Sequence, residues 1–309
     1  MTLQQMEYIV AVYRTRHFAK AAESCGVTQP TLSAMVQKME TELGIKIFER
    51  SSQKVTPTPI GKAVVEQAWK VLQRAKRIKD IVDEEKKSIQ GILRIGILPT
   101  IAPYLLPRFF SQMQDKYPEL EMKVWELKTS EMKKAIDKGE IDVGIMVDIE
   151  GLDDYNITTL YYEQFMGYVA ENDPIFEKPA IKLSDLQNEF LWLLDEGHCF
   201  RSQMVKFCQL KSASLSKATY SLGSIETFMR MVENGKGMTF IPELALTQLT
   251  EQQKRLVRPF AIPIPTREVV MVVQKSFIRL SLANQLAENI RGSVPECMLK
   301  YNNTEQRIL

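Results

Sequence analysis

Residues 59–87 read as one uninterrupted helix, and no other stretch limits the fold so tightly. Pro59 stands at its start, and after Gly61 no glycine or proline occurs until Gly91. Along it Val64, Ala68, Val71, Ala75, Ile78 and Val82 recur at alternating spacings of four and three, the a/d seam of a two-stranded coiled coil. About 28 residues at ~1.5 Å each make a rod of roughly 40 Å. A helix with a single apolar seam needs a partner, either its own domain or a second copy; the regular seam favours a second copy. The rod also divides the chain, with about sixty residues before it and over two hundred after, joined by a hinge at 88–91.

The first segment carries three helical patterns. Leu3–Tyr13 places apolar residues at 3, 6, 9, 10 and 13, a helical stripe. A short helix, AKAAESC, ends at Gly26. Thr28 is positioned to cap a third helix that runs to Gly44 and tolerates Pro30 in its first turn. Leu32, Met35, Val36, Met39 and Leu43 form its buried stripe, which leaves Gln29, Thr31, Ser33, Gln37 and Lys38 more exposed. Two helices joined by a glycine turn, the second with a polar leading end, are the layout of a helix-turn-helix whose second helix enters a major groove. The following IKIFERSSQKVTPTPIG predicts two short strands around a basic turn, a wing that offers Arg50 and Lys54 to flanking phosphates. Residues 1–90 hold fifteen Lys/Arg against ten Asp/Glu, net +5, and the remainder twenty-five against twenty-eight, net −3, which recovers the overall +2. That excess suits a polyanion without establishing one.

From residue 92 strands and helices alternate: strand 92–98, helix 101–116, strand 120–127, helix 130–138 capped by Thr129, and strand 142–147. This order predicts a parallel α/β sheet with ligands at the carboxyl ends of its strands, where Thr100 and Thr129 converge. Residues 157–170 cross into a second unit with strand 190–194, a helix near 201–209, strand 218–221, helix 224–233 and strand 238–241. Strand 267–274 returns, followed by helix 280–291 and a polar tail expected to be disordered at its end. Two crossings imply a hinged pair of lobes, lobe I about 91–161 and 268–300, lobe II about 162–267. The domain boundaries are therefore 1–58, 59–90 and 91–309.

The chemistry concentrates in DEGHCFRSQMVKFC, residues 195–208. Cys199 lies between His198 and Arg201, and positive charge favours the reactive thiolate. Cys208 is a second thiol that can capture an oxidised first one as a disulfide. Four cysteines are too few for a disulfide scaffold. With two histidines in the chain a zinc site is not expected, and without a glycine-rich phosphate loop neither is a nucleotide cofactor. No run of eighteen apolar residues or signal peptide is evident, which predicts a cytoplasmic protein with no membrane contact.

The stretch FAKAAESCGVTQPTLSAMVQKMETELGIKIFER and the two-lobed remainder together resemble the LysR-type transcriptional regulators over nearly the whole chain. GHCFRSQMVKFC further resembles the sensing segment of that family's hydrogen-peroxide sensors. The resemblance implies a winged helix-turn-helix, a coiled-coil linker helix and a two-lobed α/β regulatory domain like periplasmic binding proteins. It implies a homodimer pairing into a homotetramer, bound to double-stranded promoter DNA, that works with RNA polymerase, activates oxidative-stress genes and requires no cofactor. By the same resemblance Cys199 is the peroxidatic thiol and Cys208 the resolving one, in a reversible disulfide that a cellular thiol reductant reopens. Thr100, Thr129, His198, Arg201, Arg267 and, with a less defined role, Glu226 line the peroxide pocket. Two rival readings remain: a family regulator with a small organic effector in the inter-lobe cleft, and a thiol peroxidase.

Overall fold

The computed structural model describes residues 1–50, 55–186, 190–194, 199–208 and 224–308, without the side chain of Arg50. The expected roles of His198 and Lys54 and the expected strand 218–221 therefore lie outside the described residues. The chain forms two compact units, Met1–Lys86 and Lys87–Leu309.

The first unit holds helices α1 (Leu3–Thr15), α2 (Phe18–Ser24) and α3 (Gln29–Leu43), strands β1 (Phe48–Arg50) and β2 (Val55–Pro57), and helix α4 (Pro59–Glu85). Thr28 caps α3 as expected, its hydroxyl accepting from the Thr31 amide at 3.4 Å. Ile9, Leu32, Val36, Met39 and Ile47 meet in the core beneath α3. Glu40, buried on the same helix, accepts from the amides of Ile47 at 2.7 Å and Phe48 at 3.1 Å, so one carboxylate ties α3 to the antiparallel wing. Thr58 likewise joins the end of the wing to α4, donating to the Lys46 carbonyl at 2.7 Å and accepting from the Gly61 amide at 2.9 Å.

The apolar seam of α4 divides. Val65 and Ala68 are buried against the unit's own helices and Val64 is half-buried there, whereas Val71, Ile78 and Val82 are exposed, Ile78 by 70%. Ala68, expected in the dimer seam, therefore belongs to the protein's own core. The physical reason is that α1 packs against α4, and Val65 and Ala68 join the core that α1 shares.

The second unit contains β3 (Gly91–Ile97), α5 (Ala102–Lys116), β4 (Leu120–Glu126), α6 (Thr129–Asp137), β5 (Val143–Val147), β6 (Tyr155–Val169), β7 (Leu191–Trp192), α7 (Cys199–Phe207), α8 (Ile225–Glu233), β8 (Met238–Pro242), α9 (Glu251–Lys254), β9 (Val257–Arg258), β10 (Ile264–Gln274), α10 (Leu280–Ser293) and β11 (Glu305–Arg307). The strand order is β4-β3-β5-β10-β6-β8-β7, with β11 on β10 and β9 on β6. Only part of this sheet is parallel. β10 runs antiparallel to both β5 and β6, and β8 antiparallel to β6. The expected parallel sheet is formed by β3, β4 and β5; the antiparallel pairs arise because β6 and β10 are long crossing strands that pair with one another, and a chain returning from the second lobe enters the first sheet in the opposite sense.

Three local expectations are also corrected. Thr129 is the first residue of α6 and not its cap; Lys128 precedes it, and the Lys128 amide is satisfied by the Glu131 carboxylate at 3.1 Å. Helix α7 begins at Cys199 and not at Arg201. The tail is ordered: β11 adds in parallel to Ile264–Thr266, Ile308 is buried, and its carbonyl accepts from Gln203 of α7 at 2.7 Å. The sequence looked polar there because the few residues that turn inward, Val294, Met298 and Ile308, are widely spaced among polar ones.

Candidate functional site

On the first unit, Thr28, Gln29, Thr31 and Gln37 are exposed on one face of α3 and Ser33 is half-buried. The Thr28 and Thr31 hydroxyls lie 2.9 Å apart, so the leading turn is held rigidly by its own cap. The opposite face is fixed by the core and by Glu40. A polar helix face backed by a packed wing is the geometry that reads base edges in a major groove.

In the second unit Cys199 opens α7, and the Phe200 backbone amide is directed at its sulfur. A helix N-terminus carries partial positive charge, which favours an anion there. Burial nevertheless dominates and pushes the Cys199 thiol above its ordinary value; the Thr129 hydroxyl and the Arg267 charge pull it down by less. Burial thus works against the thiolate that flanking positive charge would favour. Thr129 Oγ1 faces the thiol but in hydrogen-bond geometry has no partner, so a buried hydroxyl is left aimed into the pocket.

Arg267, on the crossing strand β10, is 1% exposed. Its Nη1 donates to Thr100 Oγ1 and its Nη2 to the Thr100 carbonyl, both at 3.1 Å. Its Nε donates at 2.8 Å to Glu163 Oε2, with Nη2 at 2.6 Å from the same oxygen. Burial works against the guanidinium charge, but Glu163 more than offsets it, and Arg267 titrates above its usual range. The rings of Phe165 and Phe200 lie against the guanidinium, centroids 5.7 and 5.2 Å from Cζ.

Cys199, Thr100, Thr129 and Arg267 are thus brought together. Gly96 of β3 helps to seat α6 and its Thr129, since Met132 leaves no room there for a Cβ. Two expected members stand apart. Arg201 turns away and donates to the Leu194 carbonyl at 2.9 Å, because residues one and three of a helix point to different sides. Glu226 accepts from Tyr104 at 2.8 Å and reaches the pocket only through that hydroxyl, which burial and the Glu226 charge push upward. Glu163 was missed. The available signal was a lone acid alternating with Tyr161 and Phe165 on one face of an apolar strand, a position that demands a buried cation.

Cys208 follows the last turn of α7 and is buried in the apolar core, where burial alone pushes its thiol up to about 12. Its amide donates to the Met204 carbonyl at 2.9 Å. Nine helical steps separate the cysteines by about 13 Å and, at ~100° per residue, put them on opposite faces. All four cysteines are free: Cys25 and Cys199 half-buried, Cys208 buried, Cys297 exposed.

Residues 3–62 match the model of bacterial regulatory helix-turn-helix proteins of the lysR family, and residues 86–294 match the LysR substrate binding domain. The chain belongs to the LysR family. Within it the chain is 33% identical over 292 residues to the DNA-binding transcriptional dual regulator OxyR of Escherichia coli K12, spanning 94% of this chain and 95% of that protein. The structure of OxyR from Porphyromonas gingivalis shares 44% identity at a TM-score of 0.67, covering 71% of this chain and all of that one. A full-length OxyR variant from Pseudomonas aeruginosa shares 34% identity at a TM-score of 0.76, covering 95% of this chain and 99% of that one. As a LysR-family protein the chain is a DNA-binding transcription regulator and not an enzyme. No helix among the described residues is long and apolar enough to cross a membrane.

Proposed function

We propose that the chain is a peroxide-responsive activator of oxidative-stress genes, switched by oxidation of Cys199 and a reversible Cys199–Cys208 disulfide. The observation that carries this reading is a thiol at a helix N-terminus, faced by an unpartnered hydroxyl and a buried guanidinium, with a second thiol held at the far end of the same helix. Hydrogen peroxide is small and has two oxygens to hydrogen-bond. In this reading Thr129 and Thr100 orient them.

In the first step the Cys199 sulfur attacks one oxygen. The O–O bond breaks, the thiol proton passes to the departing hydroxide, and water leaves with Cys199 as sulfenic acid. In the second, the Cys208 sulfur displaces that hydroxyl, its own proton completes a second water, and the disulfide closes. Sulfurs roughly 13 Å apart on opposite helix faces cannot bond without unwinding α7. The same unwinding withdraws Gln203 from Ile308. Two molecules of a cellular thiol reductant reverse the step, becoming a disulfide themselves. In this reading the α4 seam pairs two chains, a homotetramer presents paired α3 helices to double-stranded promoter DNA, and the altered spacing changes the contact with RNA polymerase. An acidic organic effector fits the pocket poorly, because Arg267 is already neutralised by Glu163.

The test is intact mass after thiol blocking. One equivalent of peroxide is expected to give an intramolecular disulfide in wild type and a trapped oxidised Cys199 in Cys208→Ser. Rapid oxidation of Cys208 in Cys199→Ser overturns the assignment.

A further inference from the structure

We propose that Glu163 is the positioning residue that sets the reactivity of Cys199, acting through Arg267. The inference rests on Cys199 being the sensing thiol. Glu163 and Arg267 stand directly opposite one another on β6 and β10, and each is 1% exposed. Glu163 Oε2 takes the Nε edge of the guanidinium, while its Oε1 accepts from the Leu244 amide at 3.1 Å, so the carboxylate is itself held from the second lobe. With that edge occupied, the other face of the guanidinium is turned to Thr100 and its plane is set against Phe200, the neighbour of Cys199.

The Arg267 charge reaches the sulfur and favours its thiolate, while Glu163 is paired to the Nε edge of the same guanidinium. An unpaired guanidinium at the same place would act on the thiol more strongly, because a buried charge is poorly screened. Glu163 therefore does two things: it aims Arg267, and it offsets part of the charge that draws the proton from Cys199. Among the described residues, the titratable and charged groups around the pair include Tyr161 of β6, which also feels Arg108, Tyr104 of α5, which donates to Glu226 of α8, and Glu243, which accepts from the Gln164 amide and is pushed up by burial. Burial pushes both tyrosines upward, so they stay neutral and do not substitute for Glu163. The reactivity of the thiol is consequently restrained by Glu163.

The experiment is the pH profile of Cys199 alkylation by iodoacetamide in the full-length reduced protein, read by peptide mass. Glu163→Gln is expected to lower the midpoint by about one pH unit, seen as roughly tenfold faster alkylation at neutral pH. Glu163→Asp keeps the charge and should follow wild type. The double variant Glu163→Gln/Arg267→Gln should return the midpoint to wild type or above. A wild-type midpoint in Glu163→Gln, or equal displacement in Glu163→Gln and Glu163→Asp, overturns the proposal. If Glu163→Gln does not fold, Arg267→Gln is compared with the double variant: the lone carboxylate should raise the midpoint and its removal lower it, and equal midpoints overturn the proposal. The underlying reading fails differently, as a wild-type Cys199 inert to peroxide.

Discussion

The two units place their chemistry in opposite ways. On α3 the polar residues face outward on a rigid helix whose far side is packed and tied down by Glu40. At α7 the reactive residues face inward, on a helix whose two ends lie in different environments: a polar pocket at Cys199 and apolar core at Cys208. A DNA-reading surface must be presented to a large partner and must not move. A peroxide site must exclude large reductants and must be able to move. The same element type, an amphipathic helix, serves both because burial differs.

The largest expected effect breaks the inward site. Cys199→Ser should abolish the peroxide-induced disulfide and leave one DNA footprint with or without peroxide; a footprint shift that survives would move the switch elsewhere, with Cys25 the first suspect. Next, Val71→Asp tests whether the outward unit needs a second copy. An unpaired charge in an apolar seam costs several kcal/mol, a rise of roughly a hundredfold or more in the dimer dissociation constant, and sedimentation at wild-type values would remove the seam from the interface.

Smaller effects sharpen the contrast. Gln37→Ala should cost about 1–3 kcal/mol at the preferred site only, whereas Arg50→Ala should weaken all sites and lower the salt slope by about one. Footprinting at two salt concentrations separates these outcomes. Gln203→Leu should cut the tie from α7 to Ile308, and hydrogen exchange of the α7 amides should quicken; unchanged exchange would mean that the tail does not hold the helix. The smallest effect is a pH dependence. Because burial raises the Cys208 thiol to about 12 in the folded state, its contribution to stability is complete below the unfolded thiol value of ~8.5 and is lost as pH rises toward 12. Denaturant titrations should therefore show a shallower alkaline decline in Cys208→Ala than in wild type.

Much of this was legible in the residues. Thr28 and Gly44 marked α3, the proline and unbroken seam marked α4, and the paired cysteines marked the candidate site, because caps, periodicity and paired cysteines are local signals. Such signals could not show that α7 starts at Cys199, that Arg201 turns away, or that Ala68 lies in its own core. Each of those depends on which neighbour arrives from a distant part of the chain. Glu163 is the clearest case, since its meaning comes only from Arg267, more than a hundred residues later and opposite it across two crossing strands.

The sequence by itself determined the elements, the helix-turn-helix and regulatory parts of the chain, and the two thiols on which the proposal rests, since these follow from side-chain pattern and intrinsic chemistry. Only the tertiary structure decided how burial weighs on each thiol, which arginine faces Cys199 and which carboxylate pairs with that arginine. Proton affinity and charge balance are set by burial and by partners a few ångströms away, and chain folding alone brings those partners together.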